Sequence, residues 1–540
     1  MEFLSLLCHL LIIGLSAALP LYTGGTYWKL GDTKYILFRN LAVFCLGVWL
    51  AVSICETIRS LVLRRKSAAD GLPEDRQDGA AVVIAGADGV MPADCGQTGK
   101  GKALKLSSMD VWMLCYGAAV VLSAVLSPYK VTAWRGYSEW YMGALSQLIF
   151  TGIYFFISRH FDGKQYSLLL GGTALFAVFG LGICHRLGVD PTGLLGGFDI
   201  RSWEYDHMLS TIGNINWFCG YCSVTLAFSV AAFLKAGKRR IRWGAYVISI
   251  MGLSLLMIQG SDIGVILVAV CLFACMLAGI NDGGAFRRTV ALETGTAFLL
   301  AIYGILRKML GERAWEAVPD DGFARALAGW QGWWLVGVLG LGLYMALGRM
   351  LRGEKKERLL KRIAAGIMIL TVLAGIAGVL LFTLQGSFEG GWGNGRGALW
   401  KVSLQSFWQG DFLQKLFGVG PDCFAEYIYS AVAVGELPGL SGRWAGTVFA
   451  NAHNEWLNHL VNIGLAGTAC YLGIFLTGIK RYRRYLPGFL ALILYGTVSL
   501  TGFQQVLSTP LLFMTLGIAE SSMKGEIFSK ASKNEAKAIQ

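Results

Sequence analysis

Apolar runs of about 17–25 residues recur along the whole chain, each long enough to cross a bilayer core about 30 Å thick as a helix. Between them lie short polar or basic breaks. The pattern predicts membrane spans at 3–22, 36–62, 109–127, 142–158, 165–184, 215–234, 243–259, 262–280, 289–306, 330–349, 363–384, 455–477, 487–501 and 505–520. The expected fold is therefore all-α, a polytopic transmembrane helical bundle of about fourteen spans. The first run has the length of a secretory leader. It lacks a basic n-region and runs into Pro20-Leu21-Tyr22, so it reads as a retained span.

The polar breaks set the orientation. With both termini on the cytoplasmic side, loops 63–108, 159–164, 235–242, 281–288, 348–362, 478–486 and the tail carry thirty-one of the 47 Lys and Arg residues. The opposite loops carry fourteen, and two fall within spans. The basic strings "KAGKRRIR" (235–242), "RGEKKERLLKR" (352–362) and "KRYRR" (480–484) all fall inside, as the positive-inside rule requires. Composition agrees: the 540 residues are 55% hydrophobic and 15% charged, too little charge to cover a soluble protein of this size. The net charge of +13 is then mostly a topology signal. No basic patch interleaved with aromatics sits on a soluble domain, so no nucleic-acid partner is expected. The twelve cysteines are scattered through apolar segments; Cys219-x-x-Cys222 has no second ligand pair and reads as packing.

Six segments follow. Residues 1–63 hold the N-terminal transmembrane helices. Residues 64–108, rich in Gly, Ala and Asp and free of aromatics and periodicity, read as a disordered cytoplasmic linker. Residues 109–384 form the transmembrane core, 385–454 a large extracytoplasmic loop, 455–520 the C-terminal transmembrane helices and 521–540 a cytoplasmic tail. The 385–454 loop is too long for a simple connection and too aromatic to be disordered. Within it Trp400, Leu404, Phe407 and Trp408 recur at helical spacing, predicting a short helix on the membrane surface or against the other helices. Gly-Asn-Gly-Arg-Gly (393–397) precedes that helix. Free N–H groups at a helix start beside the Arg396 guanidinium suit a phosphate; the plainer reading is a glycine turn with a snorkelling arginine.

The string "NAHNEWLNHL" (451–460) ends the loop where the next span begins. His453 and His459 are six residues apart, about 240° around a helix, so they cannot share a metal as an i, i+4 pair can. One histidine at a bilayer interface suits general-base work; the plainer role is to anchor a helix end.

Five segments, in order, carry a resemblance. They are "AWRGYSEWYMGAL" (133–145), "TIGNINWFCGY" (211–221), "GRGALWKVSLQSF" (395–407), "LFGVGPDCF" (416–424) and "AHNEWLNHLVNIGLAG" (452–467). From about residue 115 to 520 the chain resembles the O-antigen ligase and polymerase family of membrane glycosyltransferases. The resemblance implies a GT-C-like bundle and a metal-independent, inverting transfer at the outer face of the cytoplasmic membrane, with no cofactor. It implies a polyprenyl-pyrophosphate-linked glycan as donor, a glycan, lipid or cell-wall group as acceptor, and contact with membrane lipids. His453 would be the base that deprotonates the acceptor hydroxyl and Arg396 a ligand of the donor pyrophosphate. Arg443, Arg135, Asn214, Asn216, Asn454, Glu455 and Trp400 are the further candidate substrate-binding residues. Asn454 and Glu455 are the nearest polar neighbours of His453 in sequence, suited either to orient the imidazole or to bind sugar hydroxyls. One departure stands out. Many members carry Ser-Arg-Gly where this chain has Ser261-Asp262-Ile263-Gly264, leaving Arg443, Arg135 or Arg313 to replace the missing arginine, or the donor to bind in a different pose. The alternative class is a transporter or flippase of lipid-linked glycan. That would place ionisable residues near span midpoints and broken helices in paired repeats.

Overall fold

The structure, a computed structural model, describes residues 2–24, 27, 29–69, 106–199, 202–280, 282–311, 322–350, 362, 366, 395–431 and 448–539. Its helices are α1 (Glu2–Leu21), α2 (Leu30–Ala69), α3 (Ser108–Leu126), α4 (Lys130–Arg135), α5 (Ala144–His160), α6 (Tyr166–Arg186) and α7 (Trp203–His207). Next come α8 (Ile215–Lys235), α9 (Arg239–Ile258), α10 (Asp262–Gly279), α11 (Gly283–Leu310), α12 (Gly322–Ala328) and α13 (Trp333–Met350). The last six are α14 (Arg396–Gln409), α15 (Phe412–Phe417), α16 (Phe424–Ala431), α17 (Glu455–Arg481), α18 (Leu486–Ser499) and α19 (Thr509–Ile539). The strands Met208–Leu209 and Gly213–Asn214 pair as a two-residue antiparallel ladder, the only sheet among the described residues.

Nine helices among the described residues are long and apolar enough to cross a membrane, and Trp333–Arg349 and Leu486–Ser499 are shorter apolar helices. The chain is thus an all-α, membrane-embedded protein. Burial sorts its spans. Only 11% of the apolar stretch of Leu30–Leu63 is buried against protein, whereas 78% of Ile215–Lys235 is. α2 is peripheral and lipid-facing; α8 is central. Large apolar side chains such as Leu50, Val43 and Phe44 on α2 are exposed, as suits a span that faces lipid.

Helix ends pair in two layers. At one end Arg159, closing α5, binds Asp110, opening α3, at 2.9 Å, and Arg481, closing α17, grips both carboxylate oxygens of Glu520 on α19 at 2.7 and 2.8 Å. His9 of α1 meets Asp162 of the α5–α6 connection at the same end of α5, at 2.8 Å. At the opposite end Ser127, after α3, donates to Val419, Trp456 of α17 reaches Ser499 of α18, and Gln147 of α5 reaches Gln504. The basic breaks at 159–164 and 478–486 therefore share one face, and the polar motif residues gather at the other.

Several boundaries differ from expectation. α2 runs on to Ala69, so the first residues of the presumed linker, 64–69, are helical; 70–105 lie outside the described residues, as does the span expected at 363–384. The span expected from 289 begins at Gly283, because Asp282 caps that helix by accepting from Ala285 N–H at 3.0 Å. The tail is not separate either: α19 continues through 521–539. Cys219 and Cys222 are buried free thiols within α8.

The expected loop helix is present as α14, yet its packed face differs. Ala398, Leu399, Val402, Ser403, Ser406 and Phe407 are buried, while Leu404 and Trp408 are exposed. Of the four periodic residues, Phe407 joins the buried face and Trp400 is half-buried.

Candidate active site

The site is assembled around the start of α17. Asn454 caps that helix, its Oδ1 accepting from Trp456 N–H at 3.0 Å and Leu457 N–H at 3.1 Å. His453 therefore precedes the helix. Its backbone is left-handed, with φ 46, and its N–H donates to Asn451 Oδ1 at 3.1 Å. A non-glycine residue held in this region costs about 1–3 kcal/mol and persists only where its surroundings over-determine it. The two histidines do diverge, because His453 lies off the helix rather than because they lie on opposite sides of it. His459 is buried, with Nδ1 against Glu455 C=O at 2.8 Å and its ring stacked on Tyr471 at 4.3 Å.

The part-buried His453 imidazole packs edge-on against Phe503, ring centroids 5.2 Å apart, and against Phe449 at 6.1 Å. Phe503 is also met edge-on by Trp140 at 4.7 Å, and Trp140 touches Trp217 at 5.9 Å. Segments 133–145, 211–221 and 452–467 thus meet through one aromatic cluster. Burial, reinforced by the positive charge of Arg396, pushes the His453 imidazole down to about 4. At neutral pH it is uncharged.

Arg396 opens α14, after Gly395 in the left-handed conformation at φ 89. Burial lowers the Arg396 pKa, and the Asp262 carboxylate opposes that shift. Asp262, standing where the missing arginine was expected, is an electrostatic neighbour of Arg396. It opens α10, and its Oδ1 accepts from Ala324 N–H of α12 at 3.2 Å. Beside it, Ser261 Oγ donates to Asn216 Oδ1 at 2.9 Å, and Asn214 Oδ1 accepts from Asn216 N–H at 2.8 Å while capping α8. The asparagines therefore reach the Asp262 helix start.

Other candidates lie elsewhere. The carboxylate of Glu455, 1% exposed, accepts from Tyr495 OH at 3.1 Å and from Tyr471 OH, inside the bundle. Trp400 is half-buried on α14 against the main core. Arg135, at the C-terminal end of α4, is exposed. Arg443 and Arg313 lie outside the described residues.

Two residues of the site were not anticipated. Phe503 lies between two predicted spans, where Gly502-Phe-Gln-Gln interrupts the apolar pattern. Asp422, buried and left-handed at φ 62, accepts from Tyr137 N–H at 2.7 Å and Met142 N–H at 2.8 Å. It clamps the 136–143 loop, which is why α5 starts at Ala144 rather than 142. Burial pushes the Asp422 carboxyl up to about 7.

The turn carrying Asp422 rests on a break in α17. Gly464, at φ 65, interrupts that helix. There Val419 N–H donates to Val461 C=O at 3.1 Å and Gly420 N–H to Asn462 C=O at 2.9 Å. Ser123 Oγ donates to the same Asn462 C=O at 2.9 Å and Ser127 Oγ to Val419 C=O at 2.5 Å. A basic side chain and a neutral imidazole at one mouth of an all-α membrane bundle define a membrane protein with a polar site at one face. No protein-family model matches the chain, and no curated protein is similar to it.

Proposed function

We propose that this protein is a membrane glycosyltransferase of the O-antigen ligase and polymerase type, a GT-C-like bundle of about fourteen spans in the cytoplasmic membrane with its site facing outward. The observation that carries the reading is geometric: segments 133–145, 211–221 and 452–467 meet around His453 through Phe503, Trp140 and Trp217, at the helix ends opposite Arg159 and Arg481. In the reaction, the acceptor hydroxyl gives its proton to His453. The freed oxygen attacks the anomeric carbon of the lipid-linked sugar from the side opposite the pyrophosphate. The new C–O bond forms as the bond to the pyrophosphate oxygen breaks, inverting the configuration. Arg396 offsets the charge of the departing pyrophosphate through its planar fork. The aromatic faces of Trp140 and Phe503 offer apolar surface to a sugar ring beside the base.

Asp262 has a defined place in this reading. A carboxylate cannot bind pyrophosphate, so it acts on the donor only through Arg396, its electrostatic neighbour.

The test uses purified protein, a polyprenyl-pyrophosphate-linked glycan and an acceptor. His453→Ala should insert normally and lose about 10²- to 10⁴-fold in transfer rate, the usual effect of removing a positioned base. Equal rates for variant and parent would leave His453 as a helix anchor and remove the mechanism.

A further inference from the structure

Backbone strain concentrates at the mouth. Six non-glycine residues among those described are left-handed: Lys29, Glu139, Tyr141, Ser210, Asp422 and His453. Four of them lie on pieces of chain that touch. Glu139 and Tyr141 belong to the 136–143 loop, and Asp422 clamps that loop through Tyr137 and Met142 N–H. His453 meets the ring of Phe503, which in turn meets Trp140 of the loop. Backbone of this kind is costly, persists only where its surroundings over-determine it, and clusters at binding sites and clamps. The surroundings of this loop do over-determine it. Its ends touch, since a Cβ on Gly143 would lie 2.3 Å from Gly136 N. Tyr141 OH donates to Asp32 Oδ1 at 2.8 Å, the Tyr141 ring stacks on Tyr35 at 4.2 Å and 8°, and the Tyr141 C=O accepts from Ser146 Oγ at 2.5 Å.

Glu139 is exposed, so its left-handed turn serves the path of the loop rather than its own packing. What that path fixes is the next residue. Trp140 is half-buried, held edge-on by Phe503 at 4.7 Å and 87° and by Trp217 at 5.9 Å and 74°. Phe503 lies 5.2 Å from His453, so the indole stands one ring away from the imidazole. A partly open indole in a fixed orientation suits a sugar ring, whose C–H face is apolar and whose hydroxyls stay free for a base. An anion would meet the negative face of the indole, and an alkyl chain needs no fixed orientation. We infer that the 136–143 loop is a preorganised saccharide platform, and that Trp140 is the positioning residue that holds the acceptor sugar against His453. The roles of acceptor and base rest on the transferase reading; the strain and the ring geometry do not.

Saturation-transfer NMR on the full chain in nanodiscs, with neutral and N-acetylated disaccharides as probes, reads binding without turnover. The parent should pass saturation to the sugar ring protons. Trp140→Leu keeps an apolar side chain but loses the aromatic face and should not, whereas Trp140→Phe should retain most of the signal. No sugar signal in the parent, or an equal one in Trp140→Leu, would overturn the platform. In the transfer assay Trp140→Leu should raise the acceptor KM about 3- to 10-fold with kcat little changed. A fall in kcat with KM unchanged would leave Trp140 a packing residue and overturn its role. Glu139→Gly tests the strain, because glycine takes left-handed backbone freely. Its melting temperature should hold or rise while the sugar signal weakens, as a relaxed loop gains stability and loses fixed orientation. A lower melting temperature with full sugar signal would overturn the preorganisation. If His453→Ala transfers as fast as the parent while Trp140→Leu still loses the sugar signal, the platform stands and only the transferase reading falls.

Discussion

Gly418→Ala is the sharpest structural test of how the site is built. Gly418 is left-handed at φ 76, and a Cβ there would lie 2.3 Å from the backbone C and O of Asn462. Gly464 answers from the other side: its Cβ would lie 2.5 Å from Gly418 N and from Leu416 C and O. Every obstructing atom is backbone, so no rotamer change relieves the clash and the turn must lift off α17. The bonds at risk are Val419 N–H to Val461 C=O, Gly420 N–H to Asn462 C=O and Ser127 Oγ to Val419 C=O. At about 1 kcal/mol each, with about 1–3 kcal/mol for a left-handed alanine, the loss is about 4–6 kcal/mol, a large part of a typical stability of about 5–15 kcal/mol. Gly163→Ala is the control, since Gly163 has φ 80 with no atom within 4 Å of the added Cβ and should show the conformational cost alone. Thermal unfolding of the purified full chain in detergent reads both. If Gly418→Ala melts with Gly163→Ala, the turn does not interlock with the helix and the reasoning fails.

The remaining expectations concern charge. With the His453 imidazole at about 4, the acid limb of kcat/KM should fall near pH 4, and Arg396→Gln, which removes a charge that depresses it, should move the limb to higher pH. Arg396→Lys should leave that limb in place yet impair turnover through loss of the bidentate fork; full turnover with Lys at equal protein level would make Arg396 structural. Asp422 keeps its proton to about pH 7 when folded, against 3.8 for the free group, so the folded state binds more protons between those values. Stability from this group is therefore present below pH 3.8 and lost as pH rises toward 7, by at most about 1.4 kcal/mol per unit. Asp422→Asn keeps an oxygen for the Tyr137 and Met142 N–H groups and removes the titration. Its melting temperature relative to the parent should rise between about pH 5 and about pH 8; parallel curves would show that Asp422 does not titrate there.

The membrane class was legible in the chain because bilayer thickness imposes a length on every apolar run, a constraint read locally and in one dimension. The α14 helix was legible for the same reason, since helical spacing is a local property, and so was the position of His453 at the start of a span. Which face of α14 packs was legible only in part: of Trp400, Leu404, Phe407 and Trp408, Phe407 is buried and Trp400 half-buried, while Leu404 and Trp408 stay exposed, because helical periodicity is equally compatible with lipid and with protein. Nor could sequence neighbours show that Glu455 turns inward to Tyr471 and Tyr495 while His453 stays at the mouth. That divergence follows from the Asn454 cap and a left-handed residue, which place adjacent side chains in different environments. Asp422 and Phe503 entered the site only through tertiary structure. Each acts on residues far away in the chain, the 136–143 loop for Asp422 and His453 and Trp140 for Phe503. Apolar length and helical period repeat within a few turns of chain, so one strand of text carries them. Meetings between distant segments depend on how whole helices pack, and only the folded bundle decides those.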